Sequence, residues 1–264
     1  MLTINDKAEI AEIYLSGDIV DDDEGGWLAS WREGDSTGYE FPAKLRAQLD
    51  SVKDKELEIH INSYGGSVFA GVAMANFVAS HKPKTTCIID GIAASIASQI
   101  FFSADVCKIP TNGYVMLHKP WTSTEGNAED LRKAAEILDT LQAGLETTYQ
   151  KKALEGVTAE DIRQMMNEET WLTGTEAAQK FNVKLIQPVK ALNYVGDRSK
   201  LIAAGIKNLP APLNFLHKPQ IAERFSNVQT FADLGYSQMV EMHTRNFEKI
   251  LAETEALLNG RLGF

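Results

Sequence analysis

Between residues 56 and 104 the chain changes its hydrophobic period repeatedly, and this alternation constrains its fold more than any other feature. ELEIHIN (56–62) is a strand pattern, and VFAGVAMANFVAS (68–80) is a small-residue helix. KTTCIID (84–90) is again β-branched and of strand length, and SIASQIFFSA (95–104) returns to helical spacing. Strand–helix alternation on this scale implies an α/β domain with parallel crossovers. The flanks fit. IAEIYLSGDI (10–19) predicts a first strand, and the acidic DDDEGG ends it ahead of an exposed loop over 21–38. Phe41, Leu45 and Leu49 recur every fourth position behind Pro42, as in a short amphipathic helix. VCKIPTNGYVMLH (106–118) predicts two strands around an Asn-Gly turn.

The longest helical pattern is NAEDLRKAAEILDTLQAGLETTYQKKAL (127–154), with Leu131, Ala135, Leu138, Leu141, Leu145 and Tyr149 in one apolar stripe. Thr158 is placed to cap a following helix. WLTGTEAAQKF holds a further short helix and NVKLIQP a last strand. Residues 190–264 differ, with a proline-containing linker, LPAPLNFLHKP, and one helix expected over 233–258. A domain of 1–189 and a mostly helical extension of 190–264 are therefore expected.

Charge supports that boundary. Residues 1–189 carry 17 basic and 29 acidic groups, whereas 190–264 carry nine and seven. An acidic body argues against nucleic acid as a partner, because phosphate binding needs clustered cations. No run reaches the length of a membrane span, and MLTINDKAEIAE is too polar for a signal peptide, so a cytoplasmic protein is expected. Cys87 and Cys107 have no metal-type spacing and are expected as reduced core residues, with no metal or cofactor implied.

Three stretches carry chemistry. In DGIAASIAS (90–98), Ser95 stands between a strand and a helix with only small residues before it. It is either a close-packing turn or a nucleophile near unpaired helix N–H groups. The stretch is not a G-x-S-x-G elbow. NSYGGSV (62–68) places Gly65 and Gly66 where backbone N–H groups could turn outward. It has neither the G-x-G-x-x-G nor the G-K-[ST] pattern of a phosphate loop. In GYVMLHKPW (113–121), His118 ends an apolar strand at a loop mouth, where a general base can sit.

Together INSYGGSVFAG, DGIAASIAS, VMLHKPW, GNAEDLRKAAEILD and ETWLTGTEAAQKF, in this order over roughly residues 10–190, resemble the Clp-protease proteolytic subunits (peptidase family S14). The likeness is strongest to bacteriophage Clp-type prohead (head maturation) proteases. The resemblance implies a Clp/crotonase-type βαβ spiral in which residues 127–154 form a handle helix that joins subunits, the alternative being a core helix within one subunit. It implies Ser95 as nucleophile, His118 as general base, and the N–H groups of Gly66 and Ile96 as the oxyanion hole. Gly65, Ser67 and Val68 would lie along an extended peptide paired with a strand after the glycine loop. Two positions depart from the family. Counting back from Trp171, the third triad member is Glu169 rather than aspartate, with Glu168 and Asp161 as substitutes; and Tyr64 stands where proline is usual.

The implied activity is a serine endopeptidase that cleaves scaffold and capsid precursors. Its partners would be polypeptide substrates and copies of itself in a heptameric or stacked ring, and the extension would dock to the immature shell or cover the site until cleaved. The alternative is a cytoplasmic degradative subunit fed by a separate ATP-dependent unfoldase. A crotonase-type acyl-CoA enzyme and a catalytically silent ring are further readings.

Overall fold

The computed structural model describes residues 10–31 and 38–187; the expected extension, and the helix over 233–258 in it, lie outside the described residues. In chain order the elements are β1 (Ile10–Ile19), α1 (Asp22–Trp31), β2 (Gly38–Glu40), α2 (Pro42–Ser51) and β3 (Glu56–Gly66). There follow α3 (Val68–Ser80), β4 (Thr85–Ala94), α4 (Ile96–Ser103), β5 (Val106–Pro110) and β6 (Tyr114–Leu117). The last are α5 (Ala128–Lys152), α6 (Ala159–Asn167), β7 (Thr170–Thr173), α7 (Gly174–Lys180) and β8 (Lys184–Ile186).

The strands form one sheet in the order β2-β1-β3-β4-β5-β8, with β6 joined to β4 and β7 to β6. Every pairing is parallel except β6–β7. Alternation puts Ala11, Ile13 and Leu15 of β1 on one face with Leu57, Ile59 and Ile61 of β3. Leu45 and Leu49 of α2, Met74 and Val78 of α3, and Ile96, Ile100 and Phe101 of α4 complete that core. Cys87 and Cys107 are free and buried there, and burial lifts the Cys107 thiol to about 11. The opposite face is polar: His60 Nδ1 lies 2.7 Å from Asp90 Oδ1, and Lys108 Nζ 2.9 Å from Glu58 Oε1.

β4 positions the site. Ile61 pairs with Ile89 but Ser63 with Ala93, so β4 takes up two extra residues against β3. Its first half runs beside β5, and its last residues, Ile92–Ala94, beside β6. The strand thus changes neighbour just before Ser95 and delivers that residue to the mouth of β6.

Four expectations are corrected. Residues 22–31 form a helix rather than part of an exposed loop. Gly25 and Gly26 weaken the local propensity. Asp22, Asp23 and Glu24 nevertheless stand in the first turn, where carboxylates complement the helix dipole. Gly25 also lies against the Phe41 ring, where any side chain would collide. The strand over 56–62 runs on to Gly66, because β1 continues to pair with it through Asp18–Gly65 and Ile19–Gly66. No strand follows the glycine loop: Ser67 caps α3 at once. Finally, the start of WLTGTEAAQKF, a stretch expected to hold only a short helix, belongs to a strand, Thr170–Thr173, held antiparallel on β6. The predicted cap at Thr158 is present as a capping box, and Asn127 forms a second one at the start of α5.

Candidate active site

Ser95 occupies the single residue between β4 and α4, with φ 54° and ψ −131°. A side chain seldom tolerates this backbone region, and such strain collects at functional positions. The residue is held on both sides. Its N–H donates to Met116 O at 3.0 Å. Its carbonyl accepts from Ser98 N at 3.0 Å and from Ser98 Oγ at 2.6 Å. The sharp strand-to-helix turn lifts Oγ out of the sheet to His118, whose Nε2 lies 2.6 Å away.

His118 directly follows β6 and is buried. Burial holds its pKa below the usual imidazole value, and the charge of Glu169 acts against that shift. Held toward the neutral form, the ring can take a hydrogen bond from the Ser95 hydroxyl at Nε2 in the tautomer that keeps its proton on Nδ1. Glu169 stands one residue beyond the cap of α6, with φ 54°. Its N–H donates weakly to Met166 O at 3.4 Å. Helices commonly end on a residue in this conformation, usually glycine. The two substitute acids are engaged elsewhere. Asp161 Oδ2 accepts from Thr158 N at 2.8 Å, and Glu168 Oε1 accepts from Gln164 Nε2 at 2.8 Å.

The glycine loop divides between two neighbours. Gly65, with φ +98°, lies against Ser95: a Cβ there would sit 2.8 Å from Ser95 Cβ and 3.1 Å from Ile96 N. A Cβ on Gly66 would collide with Ile19 O. Ser67 Oγ donates to Asp21 Oδ1 at 2.8 Å, away from the serine–histidine pair. Val68 lines the cavity beside Ser95, Ile96 and His118, together with Gln99, Pro120, Leu145 and Tyr149. Those last four were not foreseen. The available signal was Tyr149, a polar-tipped residue in an otherwise aliphatic stripe. Tyr64, where the resemblance leads one to expect proline, is buried and packs with Ile92, Ala94 and Met116.

Among the described residues no cluster of His, Cys, Asp and Glu is arranged to hold a metal ion, and no helix is long and apolar enough to cross a membrane. What the arrangement offers is acyl-transfer chemistry: a serine hydroxyl bonded to a neutral imidazole, at the N-terminus of a buried helix, on a parallel α/β sheet. That defines a serine hydrolase. The sequence agrees. The family model for Clp protease matches residues 39–183, more than half of the chain. An ATP-dependent Clp protease proteolytic subunit from Bacteroides fragilis is 30% identical over 142 residues, covering 51% of this chain and 67% of that protein. The chain belongs to the Clp protease family and is a serine peptidase.

Proposed function

We propose that Ser95, His118 and Glu169 form the catalytic triad of an oligomeric peptidase that cuts polypeptides delivered by a separate ATP-dependent unfoldase. The 2.6 Å contact between Ser95 Oγ and His118 Nε2, on a strained strand-to-helix turn, carries the catalytic part of this reading. Ser95 Oγ attacks the scissile carbonyl carbon while its proton passes to Nε2. The imidazolium returns that proton to the leaving amine as the C–N bond breaks. Water, deprotonated by the same nitrogen, then hydrolyses the acyl-enzyme. The negative oxygen formed at each stage is received by the N–H groups of Ile96 and Gly66, and losing one such donor costs roughly 3 kcal/mol. Glu169 stabilises the imidazolium. Substrate backbone runs past Gly65, Ser67 and Val68.

The unfoldase is supported by the name of the Bacteroides fragilis relative, which is ATP-dependent. This chain has no Walker-type phosphate loop of its own, so the ATPase would be a second protein, in the cytoplasm. Oligomerisation is supported by α5. Its C-terminal third is buried at Leu145 and Tyr149, but Leu131 and Ile137 further up the helix are about half exposed.

The second reading is maturation of a phage head, with scaffold and capsid precursors as substrates. It rests on the likeness of the motifs named above and on the differently charged, proline-containing stretch from residue 190 onward. One experiment separates the two. A short peptide, a stably folded protein and a scaffold precursor are each incubated with the protein, with and without an unfoldase and ATP. Degradation of the folded protein only with unfoldase and ATP supports the first reading. Limited cleavage of the precursor without either supports the second. No hydrolysis of any substrate, the peptide included, contradicts both.

A further inference from the structure

The strained turn at Ser95 must be imposed by its surroundings, and one part of those surroundings comes from far along the chain. Ser98 Oγ lies 2.6 Å from Ser95 O and 2.8 Å from Tyr149 Oη. A carbonyl oxygen can only accept, so the single Ser98 proton points at Ser95. Ser98 Oγ must then accept from Tyr149, whose hydroxyl is the donor. The order is fixed: Tyr149 donates to Ser98, and Ser98 donates to the carbonyl of the nucleophile.

Both members are almost completely buried, Ser98 at 0% and Tyr149 at 1% exposure, so water does not compete for these bonds. Tyr149 is itself locked. Its ring meets Phe102 edge-on at 5.7 Å. One turn earlier on α5, Leu145 O accepts from Gln99 Nε2 at 3.1 Å. These links, and a further side-chain contact between Gln99 and the Tyr149 hydroxyl, tie the last third of α5 to the first turn of α4, immediately behind Ser95.

We propose that Tyr149 is a positioning residue: through Ser98 it holds the Ser95 carbonyl, and so the turn that aims Oγ at His118. The seating of α5 is thereby felt at the nucleophile, although α5 supplies no atom to the reaction. The inference rests on Ser95 being the nucleophile.

A fluorophosphonate probe tests it, with the labelling rate read by intact mass for the full chain, Tyr149→Phe, Ser98→Ala and the double variant. Because one neutral hydrogen bond is removed, each single variant should lower the maximal labelling rate about three- to ten-fold and leave the probe's half-saturating concentration unchanged. The double variant should be no slower than Ser98→Ala, because the proposed effect of Tyr149 runs through the Ser98 hydroxyl rather than through its contact with Gln99. Circular dichroism confirms the fold, and Tyr149→Phe, which keeps the ring, decides alone if Ser98→Ala does not fold. A Tyr149→Phe rate equal to that of the unaltered protein overturns the inference. So does a double variant in which the two losses multiply, or a change confined to the half-saturating concentration, which would make Tyr149 a wall of the pocket. Absence of labelling at Ser95 in the unaltered protein overturns the nucleophile assignment itself, and this inference falls with it.

Discussion

Glu169 is the residue at which stability and catalysis should pull apart. It stands one position past the α6 cap with φ 54°, where an L side chain costs about 1–2 kcal/mol. Glycine would remove that cost, while its extra freedom in the unfolded chain takes back about 0.5–1 kcal/mol. Burial keeps the His118 ring neutral at pH 8, so no ion pair is lost, and a hydrogen bond from its Nδ1–H to the carboxylate would offset only part of this gain. Glu169→Gly should therefore be neutral or stabilising, by about 0–1.5 kcal/mol, which for a domain of this size raises Tm by up to about 5 °C. The same variant removes the carboxylate that steadies the charged imidazole, and turnover should fall by at least about 100-fold. Urea unfolding followed by circular dichroism gives the first quantity, and initial rates on a fluorogenic peptide give the second. A loss of more than about 1 kcal/mol would refute the strain argument. Retention of turnover within about three-fold would refute the role of the carboxylate.

Two further outcomes follow from the same geometry. His118 must be neutral to accept the Ser95 proton, and its pKa lies below the ordinary value of 6.5. The acid limb of kcat/KM against pH should therefore have its midpoint below 6.5; Glu169→Gln, by removing the charge that raises the pKa, should move it lower still. A midpoint above 7 would contradict the burial argument. Gly65→Ala forces a side chain into φ +98° and brings Cβ within 2.8 Å of Ser95 Cβ and 2.9 Å of Ala94 O. Strain and collision together should cost about 2–4 kcal/mol, measured by urea unfolding, and should abolish peptide hydrolysis. A loss below about 1 kcal/mol would mean that the loop relaxes freely.

The parallel sheet was legible because buried strands and amphipathic helices carry different periods, and those periods change cleanly at Ser67, Lys84 and Ala104. The helix at Asp22–Trp31 was hidden by its two glycines: a local propensity was overridden by the close approach of Phe41, a contact that only the folded chain supplies. The strand Thr170–Thr173 was hidden because four residues show no period, and its partner, β6, lies more than fifty residues earlier. Ser95 and His118 could be put forward from motif order alone, and the fold brings their side chains to 2.6 Å. The turn angle at Ser95 could not, since Ala93 and Ala97 stand where the usual elbow has its two glycines. A preference among Glu169, Glu168 and Asp161 likewise needed coordinates: all three share one short segment, and only the folded chain shows Asp161 and Glu168 bonded elsewhere and the charge of Glu169 felt at His118. Tyr149 and Ser98 left no trace beyond a hydroxyl in an apolar stripe, because a relay between two helices has no sequence spacing.

The central claim is that Ser95 is an activated nucleophile paired with His118. The most direct measurement is the intact mass of the protein after treatment with a fluorophosphonate, beside Ser95→Ala and His118→Ala treated identically. The account predicts one adduct per chain, on a peptide containing Ser95, absent from Ser95→Ala and slower by at least about 100-fold in His118→Ala. An adduct that persists in Ser95→Ala, or a folded protein that never reacts, would contradict it.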